Sequence, residues 1–434
     1  MVRSVVCESH LEDYVRCLSK TRATSVGLLI GQPSSTNKDY VIHLNKIKDG
    51  DDTNQETKGL LDIDNQHVSQ HALIETRALP GGFYVLGIFV INPKSVFEDP
   101  TLMNKVKTML VDMRHTFNSN SLLHGNCDEL DGGEKLVLSY SSSSNVFGCK
   151  TVALKSEHLS TKPCDWKFQA QAMSWHSMST FFETNDTYAL EQKNGEPYDT
   201  EANLSGCVEI LKQQLAKGIV YFEGGPVDGA QLIESVLKHK KDEPFLVHLY
   251  APSQSNVDIS DKAIQTFDGT MKFDGIISCN IFVHPKNTFA EAEAFIKADI
   301  IRSLMSRVQI HCDSLVQVEG AIQDSIMLNE LPRRIYFRIG AKSNQICFCE
   351  YLFREEMKEA AIPQIQATLD LSVTPKELIA TVEVIAEIKE EEQQDSNGAG
   401  EKIEERLSVL LDQRAILASI VVLIVGILVF LLTK

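Results

Sequence analysis

The chain has 434 residues, 43% hydrophobic and 23% charged, with a formal net charge of -17. That length gives room for two or three domains and a sizeable core, and the composition is ordinary for a globular protein. The acidic balance, with no cluster of Lys and Arg, excludes a general nucleic-acid binder, because holding phosphates needs a basic surface.

The opening MVRSVVCESHLEDYV puts Cys, Glu, His and Asp where a secretory signal needs an apolar core, so no N-terminal export signal is expected. Ten Cys are scattered without a CxxC pair, which fits reduced cytosolic thiols better than a disulfide scaffold or a zinc finger. The closest two, Cys347 and Cys349, share one face of a strand and read as core packing, since no His or Cys cluster accompanies them. In a cytosolic body the glycosylation patterns beginning at Asn185 and Asn203 stay unused.

Residues 9–21 carry Leu11, Tyr14, Val15 and Leu18 at helical spacing. ATSVGLLIGQPSSTNKDYVIHLNKI then predicts a buried strand, a polar turn at 33–38 and a second strand at 40–47, together a hairpin. A helix is expected at 65–76, broken by Leu79-Pro80-Gly81-Gly82, followed by a strand at 83–91 that ends in Asn92-Pro93 and a helix at 101–118.

VGLLIG followed by GFYVLGIFVINP resembles the MPN (JAMM) fold over residues 1–165. Zinc-protease members of that family use a Glu, an HxH pair, a Ser and an Asp, in which two His and the Asp hold zinc and the Glu acts as base. The matching positions here are Thr24, Val90, Asn92, Pro100 and Met103. None has the required chemistry: Thr24 is no carboxylate base, Val90 and Met103 are not hard ligands, and Asn92 alone cannot hold zinc. The resemblance therefore implies a non-catalytic domain that dimerises or recruits, with no metal and no cofactor.

Residues 127–145 read as a Ser-rich loop holding one strand at 135–140, and 165–182 alternates at Trp166, Phe168, Ala170 and Ala172 as an edge strand does. His176 has no catalytic partner nearby in sequence and reads as structural. Next come a helix at 203–217, the strand GIVYFEG, a helix near 230–240, the strand PFLVHLYAP, an apolar strand at 274–285 and a helix at 288–306. Alternating runs at 334–339 and 345–353 predict a hairpin. Ile88 to Lys94 echoes Ile281 to Lys286, which leaves open two related α/β units or chance. Gly224-Gly225-Pro226 is no phosphate loop, since no GK[ST] follows.

Cys279 and His284 raise a thiol hydrolase as the alternative reading. Against it, an odd spacing puts them on opposite faces of an extended segment, and no Gly-rich turn precedes Cys279.

Residues 361–414 read as an acidic linker and juxtamembrane segment: 387–406 carries a net charge of -5, and 402–414 has Ile403, Leu407, Leu410 and Leu411 on one stripe. The uncharged run 415–433 would span about 28 Å as a helix, close to the hydrocarbon core of a bilayer. Ala415, Ile416, Leu417, Val421, Leu423, Val425, Leu428, Phe430 and Leu432 would form that membrane anchor. Its modest length suits the thinner endoplasmic reticulum bilayer.

The MPN-like start, the IFVHPKNTF segment at 281–289, the acidic stalk and the single C-terminal span together resemble the odorant-response-abnormal family of tail-anchored proteins, the fourth of that series. The resemblance implies a single-pass protein of the endoplasmic reticulum membrane with a cytosolic body. It also implies an adaptor, not an enzyme, that serves the maturation, trafficking and localisation of odorant and other seven-helix, G-protein-coupled receptors. A ubiquitin-fold-modifier-specific cysteine protease, bound through the MPN-like domain, is the implied partner. The expected fold class is α/β (α+β): an inactive MPN-like domain at 1–165, a second α/β domain at 166–360, the linker at 361–414 and the transmembrane helix at 415–433.

Overall fold

A computed structural model of the chain describes residues 2–21, 24–48, 59–125, 127–156, 158–171, 173–189, 200–223, 225–237, 244–251, 270–316, 330–338 and 346–383. The first elements are β1 (Arg3–Glu8), α1 (Ser9–Thr21), β2 (Ser25–Gln32), β3 (Lys38–Lys46), α2 (Asn65–Ala78), β4 (Tyr84–Asn92), α3 (Pro100–Ser119), α4 (Ser121–His124), α5 (Cys127–Leu130), β5 (Glu134–Ser141), β6 (Val146–Ala153) and β7 (Thr161–Gln169). Their strands close into a barrel in the order β1-β3-β2-β4-β5-β6-β7, with β7 returning to pair parallel with β1. In YVLGIFVIN every residue of β4 is buried, as a strand covered on both faces requires. Polar side chains set the helix starts: Asp64 accepts the Gln66 and His67 amides at the head of α2, and Asp99 accepts those of Thr101 and Leu102 before Pro100 opens α3. The motif glycine Gly87 has a tighter reason to be glycine, because a Cβ there would lie 2.0 Å from the Leu136 carbonyl oxygen on β5.

The remaining elements are β8 (His176–Ala189), α6 (Thr200–Ala216), β9 (Ile219–Phe222), α7 (Ile233–Val236), β10 (Phe245–Tyr250), β11 (Thr270–Val283), α8 (Phe289–Val316), β12 (Arg333–Arg338), β13 (Cys347–Leu352), α9 (Ala361–Leu369) and β14 (Leu378–Ile379). They make a four-stranded sheet in the order β11-β8-β10-β9 and a three-stranded sheet in the order β13-β12-β14. Cys279 and Ile281 of β11 are buried together with Ile296, Ile300 and Leu304 of α8, which packs against that strand. The class is mixed α/β.

Two seams join the barrel to the second sheet. Gly81 pairs in parallel with Ile281, its N–H donating to the Asn280 carbonyl at 3.2 Å while the Phe282 N–H donates to the Gly81 carbonyl at 3.1 Å. Beside it the Gln32 side chain donates to the Phe282 carbonyl at 2.7 Å and accepts the His284 N–H at 2.9 Å. One apolar core continues through the junction, from Val5 and Leu28 in the barrel to Phe282, Phe295, Phe337 and Leu369. The described part of Met1–Val384 accordingly forms one compact unit, and Ile385–Lys434 lies outside the described residues.

Several expectations change. Residues 165–182 are not one edge strand: β7 belongs to the barrel and β8 to the second sheet, and the expected boundary after residue 165 falls inside β7. The loop expected at 127–145 contains the helical turn α5, and β6 begins directly after it at Val146. The strand β1 has no counterpart in the sequence reading, because six residues with Arg and Glu at the ends give little periodicity. The helix expected to end at 306 continues to Val316, since Arg307 and its neighbours are buried against partners and do not mark a solvated end. Residues 361–383 are not linker. Ala361, Ile365 and Leu369 of α9 are buried, and Glu383 is buried among donors from three strands and helices described below.

The acidic run 387–406, the amphipathic stripe 402–414 and the anchor 415–433 lie outside the described residues, and so do Gly224 and residues 238–240 of the helix expected near 230–240. Among the described residues no helix is long and apolar enough to cross a membrane.

Candidate functional site

The antiparallel pairing of β2 with β4 aligns Ser25 with Ile91 and Val26 with Val90, which brings Thr24 beside Asn92. Thr24 Oγ1 donates to Asn92 Oδ1 at 3.2 Å, and Asn92 Nδ2 donates to the Lys94 carbonyl at 2.9 Å. Val90 is fully buried in the core. Pro100 is exposed at the first turn of α3, and Met103, one turn on, packs partly buried against the core. The fold thus gathers Thr24 and Asn92 into one hydrogen-bonded pair and turns Val90 to packing. A hydroxyl and a carboxamide engaged with each other carry no charge to balance a zinc ion and no group to activate water. Among the described residues there is no group of three or more His, Cys, Asp or Glu placed to hold a metal ion.

Cys279 and His284 face different neighbours. Cys279 is 1% exposed, its thiol pointing to the Ile296 carbonyl on α8 at 3.7 Å, and burial pushes its ionisation well up. The His284 ring stacks on Tyr40 of the barrel, with centroids 3.7 Å apart and planes at 17°, and accepts the Lys286 amide at Nδ1. Burial lowers its pKa to about 3. A protonated thiol turned to α8 and a non-basic imidazole stacked on Tyr40 do not form a nucleophile and base. His176 is buried beside Phe245. Cys349 lies in a buried cluster with Tyr336 and Tyr351, and Cys347 packs partly buried against it.

What sequence reasoning missed is a polar stripe inside the molecule. Asp299, Arg302, Ser303, Ser306 and Arg307 lie on one face of α8 and all are buried. Arg302 donates to the carbonyls of Leu123 at 3.0 Å and Phe83 at 3.1 Å, tying α8 to the chain flanking the barrel. Arg334 holds both carboxylate oxygens of Asp299, and Arg307 Nη2 reaches Glu383 at 2.6 Å. Glu383 also accepts the Ser278 N–H and hydroxyl and the Arg334 N–H, each at 2.8 Å. Burial works against the Glu383 charge, and Arg307 with these donors outweighs it and holds the carboxyl below its ordinary range. The spacing of those α8 residues is helical, and that was the available signal.

A second buried group lies under α9. Asn45 Nδ2 donates to Glu75 Oε2 at 3.0 Å and to the Thr368 carbonyl at 2.7 Å, with His71 at 3.4 Å. Burial raises the Glu75 pKa to about 8 and lowers those of His71 and His43 to about 4. On the surface a groove of about 440 Å³ runs between α4, α6 and α8, with Ala290, Ala294, Ala298 and Ile301 among its walls.

These buried networks tie helices and strands together; none supplies a paired nucleophile and base. The family is decided by a match that runs through barrel and sheets alike: the model described as "ODR4-like: Odorant response abnormal 4-like" covers residues 27–380. The chain belongs to that family. Relatives include the protein odr-4 homologs of Drosophila melanogaster, 22% identical over 89% of this chain and 87% of that protein, and of Mus musculus, 26% identical over 88% and 87%. The odorant response abnormal protein 4 of Caenorhabditis elegans is 24% identical over 62% of this chain and 56% of that one. Among solved structures, the crystal structure of UfSP from C. elegans aligns at a TM-score of 0.42 and 9% identity over 85% of this chain, which spans only 57% of that structure.

Proposed function

We propose that the chain is a tail-anchored adaptor of the endoplasmic reticulum membrane, single-pass with its body in the cytosol. It recruits a ubiquitin-fold-modifier-specific cysteine protease and supports maturation, trafficking and localisation of odorant and other G-protein-coupled receptors. The observation that carries this reading is membership of the odorant-response family across residues 27–380. The apolar run 415–433 supports the anchor, and its lack of charge is what a bilayer span needs. The hydrogen-bonded Thr24 and Asn92 support a recruiting MPN-like domain without hydrolysis. The protonated, buried Cys279 speaks against the thiol-hydrolase alternative.

The test expresses the full chain and a version ending at residue 414 in cells lacking the endogenous protein. Membrane fractionation, recovery of the protease and receptor density at the cell surface are then measured. All three should depend on 415–433 or on the chain itself. Receptor density unchanged by removal of the chain would refute the adaptor role, and protease recovery equal to that from a mock pulldown would refute recruitment. A Cys279→Ala chain should support receptor delivery fully; loss of delivery with the protein still folded would revive the hydrolase.

A further inference from the structure

Two thiols far from every site above stand opposite each other in the barrel wall. The antiparallel register of β6 and β7 pairs Lys150 with Pro163 and Thr151 with Lys162, so the next step places Cys149 opposite Cys164. Residues opposed in this way have Cα atoms about 4.5–5.5 Å apart, inside the roughly 4.4–6.8 Å that a disulfide spans. Both cysteines are free, Cys149 buried and Cys164 partly exposed. On its other side Cys164 is in register with Arg3 of β1, whose guanidinium is bound to Asp39. A pocket of about 500 Å³ is lined by Arg3, Thr151, Lys162 and Pro163, the last of these next to Cys164 in sequence.

We propose that Cys149 and Cys164 form an oxidative modification site, a dithiol that hydrogen peroxide converts to a cross-strand disulfide. The roles follow from the asymmetry of the pair. The neighbouring Cys164 thiol and burial push the ionisation of Cys149 well up, whereas Cys164 is the one of the two that solvent reaches, and the Cys149 thiol beside it lowers its ionisation. Cys164 is therefore the attacking thiolate. Its sulfur bonds to one peroxide oxygen as the O–O bond breaks, and the departing hydroxide takes a proton to become water. The Cys149 sulfur next attacks the sulfenic sulfur of Cys164, the S–O bond breaks, and the leaving hydroxide takes the Cys149 proton as a second water. The two sulfurs lose two electrons, and one peroxide is reduced to two waters. The bond would pin β6 to β7 beside the place where β7 closes the barrel on β1.

The experiment treats purified full-length protein in detergent with hydrogen peroxide, blocks the remaining thiols by alkylation, and sequences peptides by mass spectrometry. The expected result is a cross-linked peptide pair joining Cys149 to Cys164, two hydrogens lighter than the sum of the reduced peptides and lost on reduction. This readout needs no variant and so no assumption about folding. In a Cys149→Ser protein, dimedone should mark Cys164 as a sulfenic acid; in a Cys164→Ser protein, Cys149 should stay unmarked. Oxidation of exposed Cys17 without any Cys149–Cys164 peptide would overturn the proposal, and dimedone on Cys149 with Cys164 unmarked would overturn the assigned roles.

Discussion

Arg334 and Asp299 meet as a two-point ion pair, Nη1 to Oδ2 at 2.7 Å and Nη2 to Oδ1 at 3.0 Å, with neither side chain reaching solvent. The pair joins β12 to α8. Burying both charges costs free energy that their attraction offsets only while both are present. Arg334→Leu should therefore cost about 3–5 kcal/mol, read as a fall in the denaturant midpoint of the full-length protein. The double replacement with Asp299→Leu should recover most of that loss. If single and double variants unfold alike, the stranded Asp299 charge is not the cause.

Glu383 is where the body meets the chain that follows, and its carboxylate accepts from Arg307, Ser278 and Arg334. Glu383→Gln keeps the shape and removes the charge, with a cost on the order of 2–3 kcal/mol. Because the folded carboxyl titrates below its unfolded value, its stabilisation is present above the unfolded pKa and is lost as pH falls through the folded one. Acid unfolding of Glu383→Gln should be shallower than that of the parent in this range. An unchanged profile would mean that the clamp contributes little.

Glu75 has the opposite sign. Its folded pKa of about 8 lies above the ordinary 4.5, so the folded state holds a proton the unfolded state gives up. The contribution is complete below pH 4.5 and is lost as pH rises to about 8, by at most about 1.4 kcal/mol per pH unit. His43 and His71, with folded values of about 4, act the other way and lose their contribution as pH falls from 6.5 toward 4. Glu75→Gln should gain stability relative to the parent at pH 8 and remove the alkaline slope. Equal slopes in the two proteins would show that Glu75 is ionised in the fold.

Two glycines should respond in opposite directions. Gly87→Ala puts a methyl 2.0 Å from the Leu136 carbonyl and should cost about 1–3 kcal/mol or more by forcing β4 from β5. Gly206, exposed within α6 with nothing within 4 Å of a Cβ, should gain about 0.5–1 kcal/mol as Ala. Thermal unfolding of the two variants side by side checks both signs.

The hairpin of β2 and β3, the helices α2 and α3, and the strands β4, β12 and β13 were legible because each carries its own period or turn chemistry in consecutive residues. Less legible were β1 and β7, which pair with each other across more than 150 residues of sequence, as in the pairing of Arg3 with Cys164. The degenerate zinc positions were legible as chemistry, since Thr, Val, Asn, Pro and Met exclude ligands wherever they lie. That Thr24 and Asn92 bond each other was not.

Sequence alone determined the elements that carry their own period, the acidic charge, the apolar run at 415–433 and the family, because periodicity, composition and motif are properties of neighbours along the chain. Tertiary structure decided which charges are buried and which thiols meet. Cys347 and Cys349, two residues apart, pack partly and fully buried at one core cluster, whereas Cys149 and Cys164, fifteen residues apart, come together through strand register. The acidic tail was expected to begin at 361, yet Glu383 is held inside by Arg307. A charged residue reads as solvated until a partner from another element desolvates with it, and that partner is set only by the fold.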